Sequence, residues 1–96
     1  MMASEPIVPI EVLDASRINF GRAITAFLHQ PVIEGFSLVG RVYFDRKDRF
    51  NSGRLIRTSN VVEFIEVAEY LVAITLTGSC YVLIAPDGEL LTLPEK

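Results

Sequence analysis

Residues 37 to 45, SLVGRVYFD, alternate apolar and polar positions over the length of one strand. Period-two geometry puts Leu38, Val42 and Phe44 on one face and Arg41, Tyr43 and Asp45 on the other. DRKD then breaks the alternation with charge. NSG at 51 to 53 signals a turn, with Gly53 free to adopt positive φ. RLIRTS returns as a short strand, so residues 41 to 59 read as a long hairpin with a charged tip. Further on, YLVAITLT and CYVLIA flank Gly78-Ser79, a strong hairpin signal. PDG at 86 to 88 marks another turn before a short ELLTL run.

Two segments fit two templates. Residues 14 to 29 suit a helix capped by Asp14, with Ile18, Phe20, Ile24, Phe27 and Leu28 on one side. Gly21 weakens that helix by about 1 kcal/mol relative to alanine. The rival is a strand from about Ala23 to His29, and the helix is slightly preferred. Pro31 is expected to end either element. Residues 60 to 70, NVVEFIEVAEY, allow a helix through Asn60 and the three-residue spacing of Glu63, Glu66 and Glu69. Val61, Val62, Ile65 and Val67 favour a strand, because β-branched side chains pack well on a pleated surface. The strand is preferred. Residues 70 to 86 carry no charge and approach the length of a membrane helix. TLTGS interrupts them with hydroxyls and glycine, which favours the hairpin.

These elements predict a mainly β fold, or α+β if residues 14 to 29 are helical. The expected architecture is a small antiparallel meander or half-barrel of five to six strands. Residues 1 to 96 form one domain, with residues 1 to about 13 as an extended arm, since Pro6 and Pro9 both oppose helix. The strand from Leu71 to Leu76 is apolar on both faces, so a helix or a second subunit must cover one of them, and a homodimer is one expectation.

Composition narrows the class. Half of the 96 residues are hydrophobic, ample for a compact core, and the net charge of −3 names no partner by itself. One cysteine, Cys80, excludes an internal disulfide framework and a cysteine-rich zinc site. A free thiol suits a reducing compartment, and the acidic N-terminal segment lacks the bases of a signal peptide, so a cytoplasmic location is expected.

The stretch LVGRVYFDRKDRFNSGRLIRTSNVV, followed by TLTGSCYVL, resembles a group of small bacterial and phage-borne proteins. Their pattern is an L-x-G-x-V strand, an R-F-x-x-G-x-x-I-x-T-S hairpin and a closing T…S-x-Y-x-L strand. The matching positions are Leu38, Gly40, Val42, Arg49, Phe50, Gly53, Ile56, Thr58, Ser59, Thr77, Ser79, Tyr81 and Leu83, within about half the chain. Many members carry H-P-R-F where this chain has K-D-R-F, so no role of that histidine carries over. The resemblance implies no activity. It implies a setting, the accessory genes of phages and mobile elements, where small acidic proteins often bind and block a host complex. Anti-CRISPR inhibitors are one well-known class of them.

Candidate chemistry centres on charge. Arg41, Arg46, Lys47, Arg49, Arg54 and Arg57, less Asp45 and Asp48, give the hairpin a net +4 against −7 in the rest of the chain. One reading is that these arginines pair with neighbouring acids and keep a sheet edge soluble. The other is a surface for phosphate or carboxylate, with Tyr43 and Phe50 near enough in sequence to stack on bases. Glu63, Glu66 and Glu69, with Asp87 and Glu89, form either a solvated face or a surface for a basic partner. No metal site and no cofactor are expected. Cys80 and His29 are the only thiol and imidazole, and GxSxG, GxGxxG, Walker and HExxH motifs are absent. Thr58, Ser59 and Asn60 are expected to end a strand through side-chain hydrogen bonds to backbone. The expectation is therefore a non-enzymatic domain that binds a host protein or ribonucleoprotein complex. The alternatives are a nucleic-acid module using residues 41 to 57 and a homodimeric assembly protein.

Overall fold

The structure is a computed structural model that describes residues 7 to 47 and 49 to 85. The turn and short strand expected at 86 to 93 lie outside the described residues, as do Asp48, Asp87 and Glu89. A short helix, α1 (Ile10–Ser16), precedes six strands: β1 (Ala26–Glu34), β2 (Ser37–Tyr43), β3 (Arg54–Arg57), β4 (Val61–Val67), β5 (Tyr70–Thr75) and β6 (Cys80–Ile84). They form one sheet in the order β3-β2-β1-β6-β5-β4. The fold is mainly β, as the alternation predicts, and the hairpins β2–β3 and β5–β6 lie where the turn signals put them.

Two three-stranded antiparallel meanders meet at the centre, where β1 and β6 run parallel. The sheet is therefore mixed, not wholly antiparallel. The two edge strands, β3 and β4, are joined by only three residues, Thr58 to Asn60. Such a link reaches at most ~14 Å. Six strands laid flat would separate their edges by roughly 24 Å. The sheet must curl, and it does so without closing into a barrel. Thr58 N–H donates to Leu38 O at 2.8 Å, and Val61 N–H to Phe36 O at 2.7 Å, so the link runs across the end of the β1–β2 hairpin.

That hairpin bends at a bulge. The register shifts between His29 and Val32, so Gln30 and Pro31 together oppose Gly40. Gln30 has φ 56°, and Pro31 lies inside β1 because a bulge leaves an N–H unpaired anyway. The expectation that Pro31 ends the element is thus corrected. Gly40 permits the close approach: a Cβ there would lie 2.9 Å from Leu28 Cγ and 3.0 Å from His29 O.

Each face of the sheet has its own core. Ala26, Leu28, Leu38, Val42, Ile56, Leu71, Ala73, Tyr81 and Leu83 fill the concave face. Phe27, Tyr43, Val72, Val82 and Ile84 point the other way and are covered by Val12 and Ala15 of α1 and by Phe20. A helix does cover the second apolar face, but at Ile10–Ser16, ahead of the helix expected over 14 to 29. Pro9 does not oppose it. It precedes the first helical residue, where its missing N–H costs nothing, and its carbonyl accepts the N–H groups of Val12 and Leu13 at 3.0 and 3.1 Å. Seven residues are too few for a helix to stand alone, so the burial of Val12 and Ala15 holds it. Asn19 and Gly21, with φ 70° at the glycine, then turn the chain, and the rival strand reading of Ala23 to His29 is realised from Ala26 onward, as the start of β1. The expected extended arm ends at Pro9, and its last stretch, from Ile10, is helical.

Candidate partner-binding site

The tip of the β2–β3 hairpin is built around one carboxylate. The Asp45 side chain is 0% exposed. It accepts the backbone N–H of Arg49 (2.9 Å), of Phe50 (3.2 Å) and of Lys47 (3.2 Å), and the Arg49 guanidinium at 3.3 and 3.4 Å. Burial alone would raise its pKa. The hydrogen bonds from the Arg49 side chain and from the backbone N–H groups of Arg49 and Lys47, with the Arg49 charge, outweigh burial and hold it below the ordinary carboxylate value. Arg49 also donates to Tyr81 Oη at 3.2 Å, and its guanidinium sits 5.0 Å over the Phe50 ring. Burial disfavours the Arg49 charge, but the hydrogen bonds to Asp45 and Tyr81 and the charge interactions with them more than offset it and raise its pKa.

The six basic residues of the hairpin thus have different duties. Arg49 braces the tip. Arg41 donates to Gly53 O at 2.9 Å, and Arg57 forms a surface ion pair with Glu34. Arg54 lies 6.0 Å over the Phe50 ring, and Lys47 reaches Ser79 Oγ at 3.4 Å. Among the described residues, the Arg46 side chain has no hydrogen bond or ion pair, although its backbone N–H donates to Thr25 O at 2.7 Å.

Arg46 meets residues that the sequence did not mark as part of a site. Arg22, also unpaired among the described residues, enters from the turn between α1 and β1. The two arginines line a hollow of about 440 Å³ with Phe20, Ile24, Phe27 and Phe44. A second depression, about 280 Å³, shares Ile24 and Arg46 with it and extends the basic lining to Lys47. Phe44 is the unexpected member. Alternation puts it inside with Leu38 and Val42. Instead its backbone takes φ 56°, the parity breaks, and the ring lies 41% exposed and edge-on to Phe27 at 6.2 Å. No period-two pattern could reveal that.

The acidic set is not gathered on one face. Glu63 and Glu66 are exposed on the edge strand β4, and an odd spacing on a strand puts them on opposite sides of the sheet. Glu69 stands in the β4–β5 turn at φ 70°. Cys80 pairs alongside Thr25, and His29 lies opposite Ile84, so the two are about four strand residues apart, roughly 13 Å. His29 instead meets Glu11 of α1 at 3.3 Å. Among the described residues no three His, Cys, Asp or Glu side chains cluster as metal ligands, and no helix is long and apolar enough to cross a membrane. Thr58 ends β3 through side-chain to backbone hydrogen bonds, as expected: its Oγ1 accepts Leu38 N–H at 3.0 Å and donates to Ser59 O at 2.8 Å, whereas the Ser59 and Asn60 side chains bond the Thr77 and Ser37 hydroxyls. No family model, curated protein or solved structure matches the chain.

Proposed function

We propose that the protein is a non-catalytic binding domain whose basic end, Arg46 and Lys47 with Arg22, engages an acidic partner. One observation carries this reading. Arg46 projects from a tip braced by the buried Asp45, yet its guanidinium has no partner among the described residues. A guanidinium with no partner among the described residues has no such ion pair to give up on meeting a carboxylate or phosphate, and can bind either one bidentately. The resemblance of the hairpin gives the reading its concrete form: a mobile-element accessory protein that occludes a surface of a host protein complex. Charge complementarity would speed such docking.

The test compares capture of host proteins by the wild-type chain, by R46E/K47E and by E63K/E66K, after nuclease treatment. One stoichiometric partner held by wild type and E63K/E66K, and lost by R46E/K47E, is expected. Equal capture by all three sinks the proposal. Arg49 is unsuitable for this test because it braces the tip.

A second reading rests on the same end. Arg22 and Arg46 flank an exposed aromatic ring, as in a site that stacks one base between phosphate contacts. It predicts capture that vanishes with nuclease and affinity that falls steeply with salt.

A further inference from the structure

We propose that the hollow beside the tip is a docking site for an acidic polypeptide segment that carries an apolar anchor, an aromatic or long aliphatic side chain. This deepens the partner-binding reading and rests on it. The floor is Phe20, Ile24, Phe27 and Phe44, and the two cations on it are Arg22 and Arg46. They come from segments 24 positions apart in the chain and converge with no carboxylate partner of their own among the described residues. An apolar floor beside two guanidinium groups that have no partner among the described residues selects a ligand that is apolar at one point and anionic beside it.

Phe44 makes the case specific. A left-handed backbone is costly for phenylalanine and cheap for glycine or asparagine. The ring does not recover that cost by burial, since 41% of the residue is exposed. The position is nevertheless fixed, because Phe44 N–H donates to Ser52 Oγ at 3.1 Å and Arg46 N–H to Thr25 O at 2.7 Å. The hairpin therefore holds an aromatic ring out over the hollow where a smaller, less strained residue would satisfy the fold.

Charge balance decides between a polypeptide and a nucleic acid. The chain is −3 overall, and Glu63 and Glu66 stand exposed on the edge strand β4. A strand bearing one phosphate per nucleotide would be repelled beyond the hollow. A short segment with a few carboxylates around one apolar residue matches it.

The probes are the peptide acetyl-EEFEE-amide, its EEGEE and QQFQQ counterparts, and an oligothymidylate, followed through backbone amide shifts. EEFEE should perturb residues 20 to 24 and 44 to 47 saturably, and each counterpart should bind at least about tenfold more weakly. Phe44→Asn should keep or raise the unfolding midpoint while weakening EEFEE about tenfold, and Arg22→Glu should weaken it at least as much. Perturbations that are absent or fall elsewhere overturn the proposal. So does undiminished binding by both variants. An oligothymidylate that outcompetes EEFEE at these residues overturns it in favour of nucleic acid. In the host-capture assay, capture lost by R46E/K47E but kept by Phe44→Asn and Arg22→Glu sinks the hollow and leaves the proposed function standing. Capture kept by every variant sinks both.

Discussion

Replacing Asp45 by alanine should loosen the tip and lower the stability of the whole domain. The carboxylate accepts three backbone N–H groups and both donors of one guanidinium face, at 2.9 to 3.4 Å. A hydrogen bond to a charged group contributes roughly 1.5–3 kcal/mol, but several of these donors are near water and can be rehydrated once freed. Truncation should therefore cost about 2–4 kcal/mol, a large part of the ~5–14 kcal/mol that a domain of this size commands. Asparagine keeps one acceptor oxygen and should cost about half as much. The assay is equilibrium urea unfolding, with hydrogen exchange on the amides of residues 47, 49 and 50. Titration adds a second readout. The folded pKa of Asp45 lies below its unfolded value of 3.8, so the charge contribution is fully present above that value. It is lost as pH falls through the folded pKa. The wild-type advantage over Asp45→Asn should be constant near neutrality and shrink below about pH 4. If Asp45→Ala unfolds within about 0.5 kcal/mol of wild type and the tip amides exchange no faster, the tip is not held by this carboxylate.

Three further outcomes follow from the packing and the link. Gly40→Ala should destabilise by about 1–3 kcal/mol, because its Cβ would press on Leu28 Cγ and His29 O, and thermal unfolding measures it. Thr58→Val should cost about 1–2 kcal/mol, since the buried Leu38 N–H loses its side-chain acceptor, and urea unfolding reads the difference. Val12→Ala, at a fully buried position of α1, should cost about 1–3 kcal/mol in the same assay and bare part of the outer core, which a rise in fluorescence of an apolar dye would report.

How much of this was legible in the sequence depended on how local each cause is. The strands β2, β3, β5 and β6 are written in alternation and turn residues, and β4 in its β-branched run. The parallel pairing of β1 with β6 is a contact between residues 55 positions apart, such as Ala26 and Tyr81, and no local pattern encodes it. The helix was misplaced because Ile18, Phe20, Ile24 and Phe27 suit a helical face, yet the turn at Asn19–Gly21 divides them, and Phe20 and Phe27 meet again on the face of the sheet that α1 covers, at 6.3 Å. The basic hairpin was visible as charge. Which of its members are free was not, because that depends on Glu34, Tyr81 and Gly53 as partners. Arg22 went unnoticed and Phe44 was assigned to the wrong face for the same reason: one joins the site through a turn, and the other through a single left-handed residue.

The most direct measurement is the affinity of the nuclease-treated host partner for wild-type protein and for R46E/K47E, with the fold of each checked by its unfolding midpoint. The account predicts equal midpoints and a loss of at least about a hundredfold in affinity for the charge-reversed chain. Equal affinities for two equally folded chains would contradict it.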